Sequence, residues 1–190
     1  FFPTISYRRV KGFFVRLGYP EKVAAPLALI CTDAERDKVQ VDGQTWTVAR
    51  GDRRLPQGAP TSPAIANLIA TRLDKRMLGA ARKYGFTYTR YADDMTFSGD
   101  AGPGSKEVRQ LLWQLRKISE DEGFAFNDKR TRVMGSGARQ DVTGLVVNAR
   151  PAVARHERRR FRAWLHKAEA ALQNKMPLPE WTNGKGVPSD

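Results

Sequence analysis

The chain is poor in cysteine, in histidine and in long apolar runs. A single cysteine, Cys31, in 190 residues excludes an internal disulfide and suits a reducing cytoplasm. It ends an apolar helical stretch from Val23 and reads there as small core filler. Two histidines, His156 and His166, lack ligand spacing, which sets aside a histidine-held metal. No apolar run approaches the roughly 20 residues of a membrane span, and no basic stretch followed by an apolar one marks a signal peptide. No membrane partner is expected. Acidic residues are also in short supply: 20 Asp and Glu stand against 33 Lys and Arg, a formal charge of +13. That excess favours a polyanionic partner, because each phosphate neutralised releases counterions. With 41% hydrophobic and 9% aromatic residues, the chain can still bury a core and reads as one domain or one lobe of a larger one.

What is present punctuates the chain clearly. Val10, Phe13, Phe14 and Leu17 share a helical face, and Ala24 to Cys31 makes a second apolar helix after Pro20. Lys38 to Val41 and Thr45 to Val48 alternate around Asp42-Gly43, a hairpin signature. Leu55 to Pro63 supplies Gly and Pro turns, then a helix with Ser62 as N-cap and Pro63 at its first position. Ile65, Leu68, Ile69, Leu73 and Met77 give that one helix its buried stripe. Thr87 to Ala92 and Met95 to Ser98 read as strands. Ser105 caps a helix with Val108, Leu111, Leu112, Leu115 and Ile118 inward, and Gly123 suits its end. Short strands are expected at 132–134 and 142–147. A basic helix over 152–173 carries an apolar stripe of Phe161, Leu165, Ala168 and Leu172.

The chemistry is expected at Tyr91-Ala92-Asp93-Asp94, between the two strands. Carboxylate oxygens suit Mg²⁺, with Mn²⁺ as the alternative. Phosphoryl transfer by two ions needs them roughly 3.5–4 Å apart, one at the attacking hydroxyl and one at the leaving group. Strand side chains alternate faces, so a tight turn is required for both aspartates to serve one site. An ordinary exposed Asp-Asp turn is the competing reading, and the tetrapeptide alone is only moderately specific.

Five segments in order give it company: Phe1-Phe2-Pro3-Thr4-Ile5, Leu55 to Pro63, Arg90 to Asp94, Asn127 to Arg132, and Arg139 to Asn148. Together they resemble the catalytic motifs of bacterial retron reverse transcriptases, from Phe1 to about Lys167. The resemblance implies an α+β fold, a polymerase right-hand palm whose antiparallel sheet has helices packed on one face, with partial fingers and the start of a helical thumb. It divides the chain into palm and fingers over 1–148 (finger-side helices and hairpin about 6–54), a thumb start over 149–175 and a loosely ordered tail over 176–190.

It also implies roles. Asp93 and Asp94 would be catalytic metal ligands for two Mg²⁺. Phe2, Gln57 and Gly58 would line the nucleotide pocket, Phe2 as the gate under the incoming sugar, with Lys129 and Arg130 as pyrophosphate contacts. The family usually has lysine where Arg130 stands, and arginine is too weak an acid to donate the proton that lysine could. Tyr91, Arg139, Gln140, Thr143, Gly144, Arg155, Arg158, Arg159 and Arg162 would face primer and template. Deoxynucleoside triphosphates, a structured non-coding RNA and its RNA–DNA duplex are the implied partners, with an effector protein, a bacterial cytoplasmic setting and a role in phage defence. The family's first catalytic aspartate stands four residues before the position of Phe1. The chain is therefore read as a piece of a longer protein, with little or no activity alone. An intron-type or other bacterial reverse transcriptase is the near alternative. A non-catalytic RNA-binding module or a structural partner subunit would be alternatives of another class.

Overall fold

The computed structural model describes residues 1–180; the 181–190 part of the expected tail lies outside the described residues. The chain forms two compact units, one spanning Phe1–Val133 and the other beginning at Met134. The division between these units falls before the fifth motif.

In the first unit, α1 (Tyr7–Arg16) and α2 (Glu21–Cys31) lead into a hairpin of β1 (Asp33–Val41) and β2 (Gln44–Arg54). Asp42 and Gly43 both have positive φ, 52° and 73°, as the type I′ turn of a tight hairpin requires. The hairpin is longer than the sequence suggests and mostly exposed. Its base is tied down by Arg53, which donates to the Leu29 and Thr32 carbonyls, and by Arg54, which donates to Pro3 O at 2.9 Å.

The expected single helix after Ser62 is two, α3 (Ser62–Ile69) and α4 (Thr71–Lys83). Thr71 Oγ1 donates to Leu68 O at 2.8 Å, a side-chain bond that competes with the helical ladder where the break falls. Ser62 is not the cap. It is buried, and its hydroxyl donates to Pro56 O at 2.7 Å, which fastens the Gly-Pro loop to the helix. Leu68, expected inward, is exposed.

After β3 (Thr87–Tyr91) and β4 (Asp94–Ser98) comes α5 (Lys106–Asp121). Ser105 caps α5 as expected, accepting from Val108 N at 3.2 Å, and Gly123 takes the left-handed position beyond its end (φ 71°). One core joins these pieces: Ile5, Val10, Phe13, Leu55, Ile65, Leu73, Met77, Phe86, Leu111, Leu115 and Ile118 are buried together. Polar ties close its rim. Arg76 donates to Asp121 and Glu122 at 2.7 Å, and Arg9 donates to Glu122 O at 3.1 Å. Both α3 and α4 are tied to β3, through Arg90 bonds to Asn67 and Asp74.

In the second unit, β5 (Asp141–Val142), β6 (Leu145–Val146) and β7 (Ala152–Val153) form a small antiparallel sheet, followed by α6 (Arg155–Gln173). The strand expected over 142–147 is thus a hairpin, turned at Thr143 (φ 48°) and Gly144 (φ 85°). Residues 152–153 pair with β6 instead of starting the helix. The strand expected over 132–134 is irregular chain with Val133 exposed; it has no strand partner among the described residues. Among the described residues the antiparallel strands make three small sheets, not one.

Candidate active site

Strand β3 pairs with β4 so that Tyr91 lies opposite Asp94, leaving Ala92 and Asp93 as a two-residue turn. Ala92 has φ 52°, while Asp93 keeps negative φ. That is the pattern of a type II′ turn, whose first position favours glycine. An alanine there is strained, and strain of this kind is tolerated where surrounding structure enforces it. The turn overcomes the alternation of the strand. Arg130 Nη1 lies 3.8 Å from an Asp93 oxygen, and Nη2 lies 3.7 Å from an Asp94 oxygen. Both carboxylates therefore converge on one cation, with side chains about half exposed (49% and 51%).

Behind the turn stands a second group of residues. Arg90 Nε and Nη2 donate to the two oxygens of Asp74 on α4, each at 2.7 Å. Arg90 Nη1 donates to the Ala92 carbonyl at 2.8 Å and to Asn67 Oδ1 on α3 at 3.0 Å. Tyr88 donates its hydroxyl to Asp74 at 2.7 Å. Tyr88 and Arg90 share a face of β3, two residues apart. Burial would push the Asp74 carboxyl up. The hydrogen bonds from Arg90 and Tyr88, with the Arg90 charge, together outweigh burial and hold it below the ordinary value. Burial and the bond to Asp74 push the Tyr88 hydroxyl well up.

The remaining sequence candidates are distributed unevenly. Phe2 is half-buried against the core and meets Phe1 edge-on at 5.7 Å, while Phe1 stacks on Phe124 at 5.3 Å. Gln57 and Gly58 form an exposed turn ahead of α3, with Gly58 at φ 92°, a conformation that favours glycine. This loop is linked to the aspartate turn through α3, whose Asn67 accepts from Arg90. Lys129 is exposed. Tyr91 is 74% exposed, a surface side chain beside the carboxylates.

Arg139, Gln140, Thr143 and Gly144 belong to the second unit. Arg139 is ion-paired with Asp141, and the Gln140 amide donates to Asn148 Oδ1 at 3.0 Å. On α6, Arg155, Arg158, Arg159 and Arg162 are exposed and fall at i, i+3, i+4 and i+7, on one face. Of the apolar stripe only Ala168 is buried; Phe161, Leu165 and Leu172 are exposed.

The donor set fits divalent metal in part. Two carboxylates focused on a shared cationic position match the hard oxygen ligands that Mg²⁺ prefers, and a six-oxygen shell needs more ligands than these. No group of three or more candidate ligands occurs among the described residues. The sequence places Arg90 inside a motif without assigning it a role, and it does not single out Asp74, Tyr88 or Asn67. The legible signal is the pairing of a tyrosine and an arginine at i and i+2 just before the turn. Their acidic partner, 14 and 16 residues upstream, carries no signal.

The family described as "Reverse transcriptase (RNA-dependent DNA polymerase)" matches residues 11–161. Retron Mx65 reverse transcriptase of Myxococcus xanthus is 47% identical over 167 residues, covering 88% of this chain and 38% of the relative. Retron Mx162 reverse transcriptase of the same organism is 45% identical over 179 residues, covering 87% and 37%. Retron Ec86 reverse transcriptase of Escherichia coli is 34% identical over 167 residues, covering 87% and 46%. The chain thus spans less than half the length of these relatives. By its family match over residues 11–161 and its identity to these relatives, the chain belongs to the reverse transcriptase family.

Proposed function

We propose that this chain carries the catalytic palm of a retron-type RNA-directed DNA polymerase, with Asp93 and Asp94 as its metal-binding carboxylates. The observation that supports this most is the convergence of both carboxylates, from a strained two-residue turn, on one cationic position. Bound there, divalent ions would activate the attacking hydroxyl and stabilise charge on the phosphoryl group. The other contributions come from this chain's own residues. Arg130, 69% exposed at its side chain, can exchange its carboxylate contacts for a triphosphate and would act there by charge, since a guanidinium does not give up its proton. Gln57 and Gly58 would border the nucleotide, and Phe2 the sugar. Tyr91, exposed beside the carboxylates, would meet the primer end. Arg139, Gln140, Thr143 and Gly144 would contribute primer and template contacts from the second unit.

The exposed arginine face of α6 supports phosphate contact, as at the start of a thumb. The names of the relatives support a retron setting, in which a structured RNA is template and primer and the product is RNA-linked DNA serving phage defence in a bacterial cytoplasm. Among the described residues no helix is long and apolar enough to cross a membrane.

Primer extension by the full-length protein on an RNA template with Mg²⁺ tests the reading. Asp93→Ala is expected to abolish extension while leaving RNA binding in place. Equal extension by wild type and variant would remove the catalytic assignment and favour a non-catalytic RNA-binding role.

A further inference from the structure

Arg90 is the most constrained charged side chain around the turn. Its side chain is 9% exposed, so it cannot reach nucleic acid. Four of its five N–H donors are spent inside the protein, two on Asp74, one on Asn67 and one on the Ala92 carbonyl. The last of these bonds is the informative one. In a two-residue turn the central peptide joins the two turn residues, here Ala92 and Asp93. Type I′ and type II′ turns differ by a flip of that peptide, which changes ψ of the first residue and φ of the second. Asp93 sits directly on its far side. A flip would rotate the Asp93 side chain away from the direction in which it meets Asp94.

We propose that Arg90, itself oriented by the bidentate pair with Asp74, is a positioning residue that holds the Ala92–Asp93 peptide in the form that aims both carboxylates at one metal site. The inference rests on the catalytic reading of Asp93 and Asp94. Each part of the clamp has a reason in the geometry. Asp74 lies in the first turn of α4, on a helix whose Leu73 and Met77 are buried in the core, so it is a fixed reference point. The paired Arg–carboxylate fork fixes the guanidinium plane as well as its place. Tyr88 occupies Asp74 from the same strand and leaves it little freedom to turn. Asn67 holds the same Arg90 nitrogen that holds Ala92, which couples the helix behind the Gln57-Gly58 loop to the aspartate turn. Lysine in place of Arg90 keeps the charge but has no planar fork and cannot hold both anchors.

The test uses the full-length protein with Arg90→Lys, Asp74→Asn and Asp93→Asn. Three measurements are made on each: single-nucleotide extension on an RNA template, Mn²⁺ binding followed by electron paramagnetic resonance, and thermal unfolding. Arg90→Lys and Asp74→Asn are expected to lower kcat about 10- to 100-fold and to weaken Mn²⁺ binding several-fold, the range seen when a ligand-orienting partner is removed. KM for the nucleotide should stay nearly constant, since no nucleotide contact is removed. Unchanged kcat and Mn²⁺ binding in a folded Arg90→Lys protein would overturn the proposal. So would a loss of kcat that disappears on cooling below the variant's unfolding range, which would make Arg90 merely structural. If Arg90→Lys fails to fold, Asp74→Asn carries the same test, because it keeps an acceptor oxygen and the shape of the side chain. Asp93→Asn separates the two claims. Full activity in that variant sinks the catalytic reading itself, whereas its loss beside normal Arg90→Lys and Asp74→Asn proteins sinks only the positioning role.

Discussion

Asp74 shows how a residue remote in sequence governs a local geometry. Its carboxyl gains two hydrogen bonds from Arg90 and one from Tyr88 in the folded chain, and its folded value lies below the ordinary 3.8. A carboxyl with a lowered folded value stabilises the fold above its unfolded value. That contribution drains away as pH falls through the folded value. The stability difference between wild type and Asp74→Asn is therefore expected to be constant from about pH 5 to 7 and to shrink below about pH 4. Urea unfolding at a series of pH values checks this; a difference that grows toward acid would contradict it. At this scale the sequence is legible where chemistry is local. Asp93 and Asp94 announce themselves as adjacent carboxylates, and Asp42-Gly43 as a turn. Asp74 is not legible, because nothing along the chain marks which of the 20 acidic residues meets Arg90 in space.

Just past the end of β4 the packing leaves no room for a side chain. Gly99 follows Ser98 of β4, and a Cβ added there would lie 2.7 Å from Phe86 Cδ1 and 3.0 Å from the Gly85 carbonyl. One neighbour is a buried ring and the other is backbone, so neither yields freely. Gly99→Ala is expected to destabilise the fold by about 1–3 kcal/mol, read as a lower urea midpoint with unchanged slope. No shift in the midpoint would show that the ring has room to move.

The elements also show where periodicity misleads. Ile65, Leu73 and Met77 lie inward as their spacing predicts, yet the helix that spacing implies is interrupted at Ala70, beside a side-chain bond from Thr71 that no hydrophobic pattern encodes. The stretch from 142 to 147 reads as one strand because its apolar residues are β-branched and leucine. Thr143-Gly144 instead turns it back on itself, with threonine taking a conformation rarely chosen by a β-branched residue.

For the whole molecule the governing quantity is charge. The formal excess of +13 is organised at least in part on α6, where Arg155, Arg158, Arg159 and Arg162 share an exposed face. Replacing Arg158, Arg159 and Arg162 by glutamine in the full-length protein is expected to weaken duplex binding. It should also flatten the salt dependence by about 0.9 in log–log slope for each phosphate no longer neutralised. An unchanged slope would assign this face to solvent. The sequence conveys the charge and the helix well. It conveys poorly how exposed the adjoining stripe is, since amphipathic spacing says which residues share a face and not what covers that face.

The central claim, that the Asp93–Asp94 turn is where metal binds, has a direct test in metal-directed cleavage of the full-length protein. Fe²⁺ replaces Mg²⁺, and ascorbate with peroxide generates hydroxyl radicals that cut the backbone beside the bound ion. The expected result is cleavage at residues 91–94 that disappears when Asp93 and Asp94 are both changed to asparagine. Cleavage elsewhere in the wild type, or the same fragments from both proteins, would contradict it.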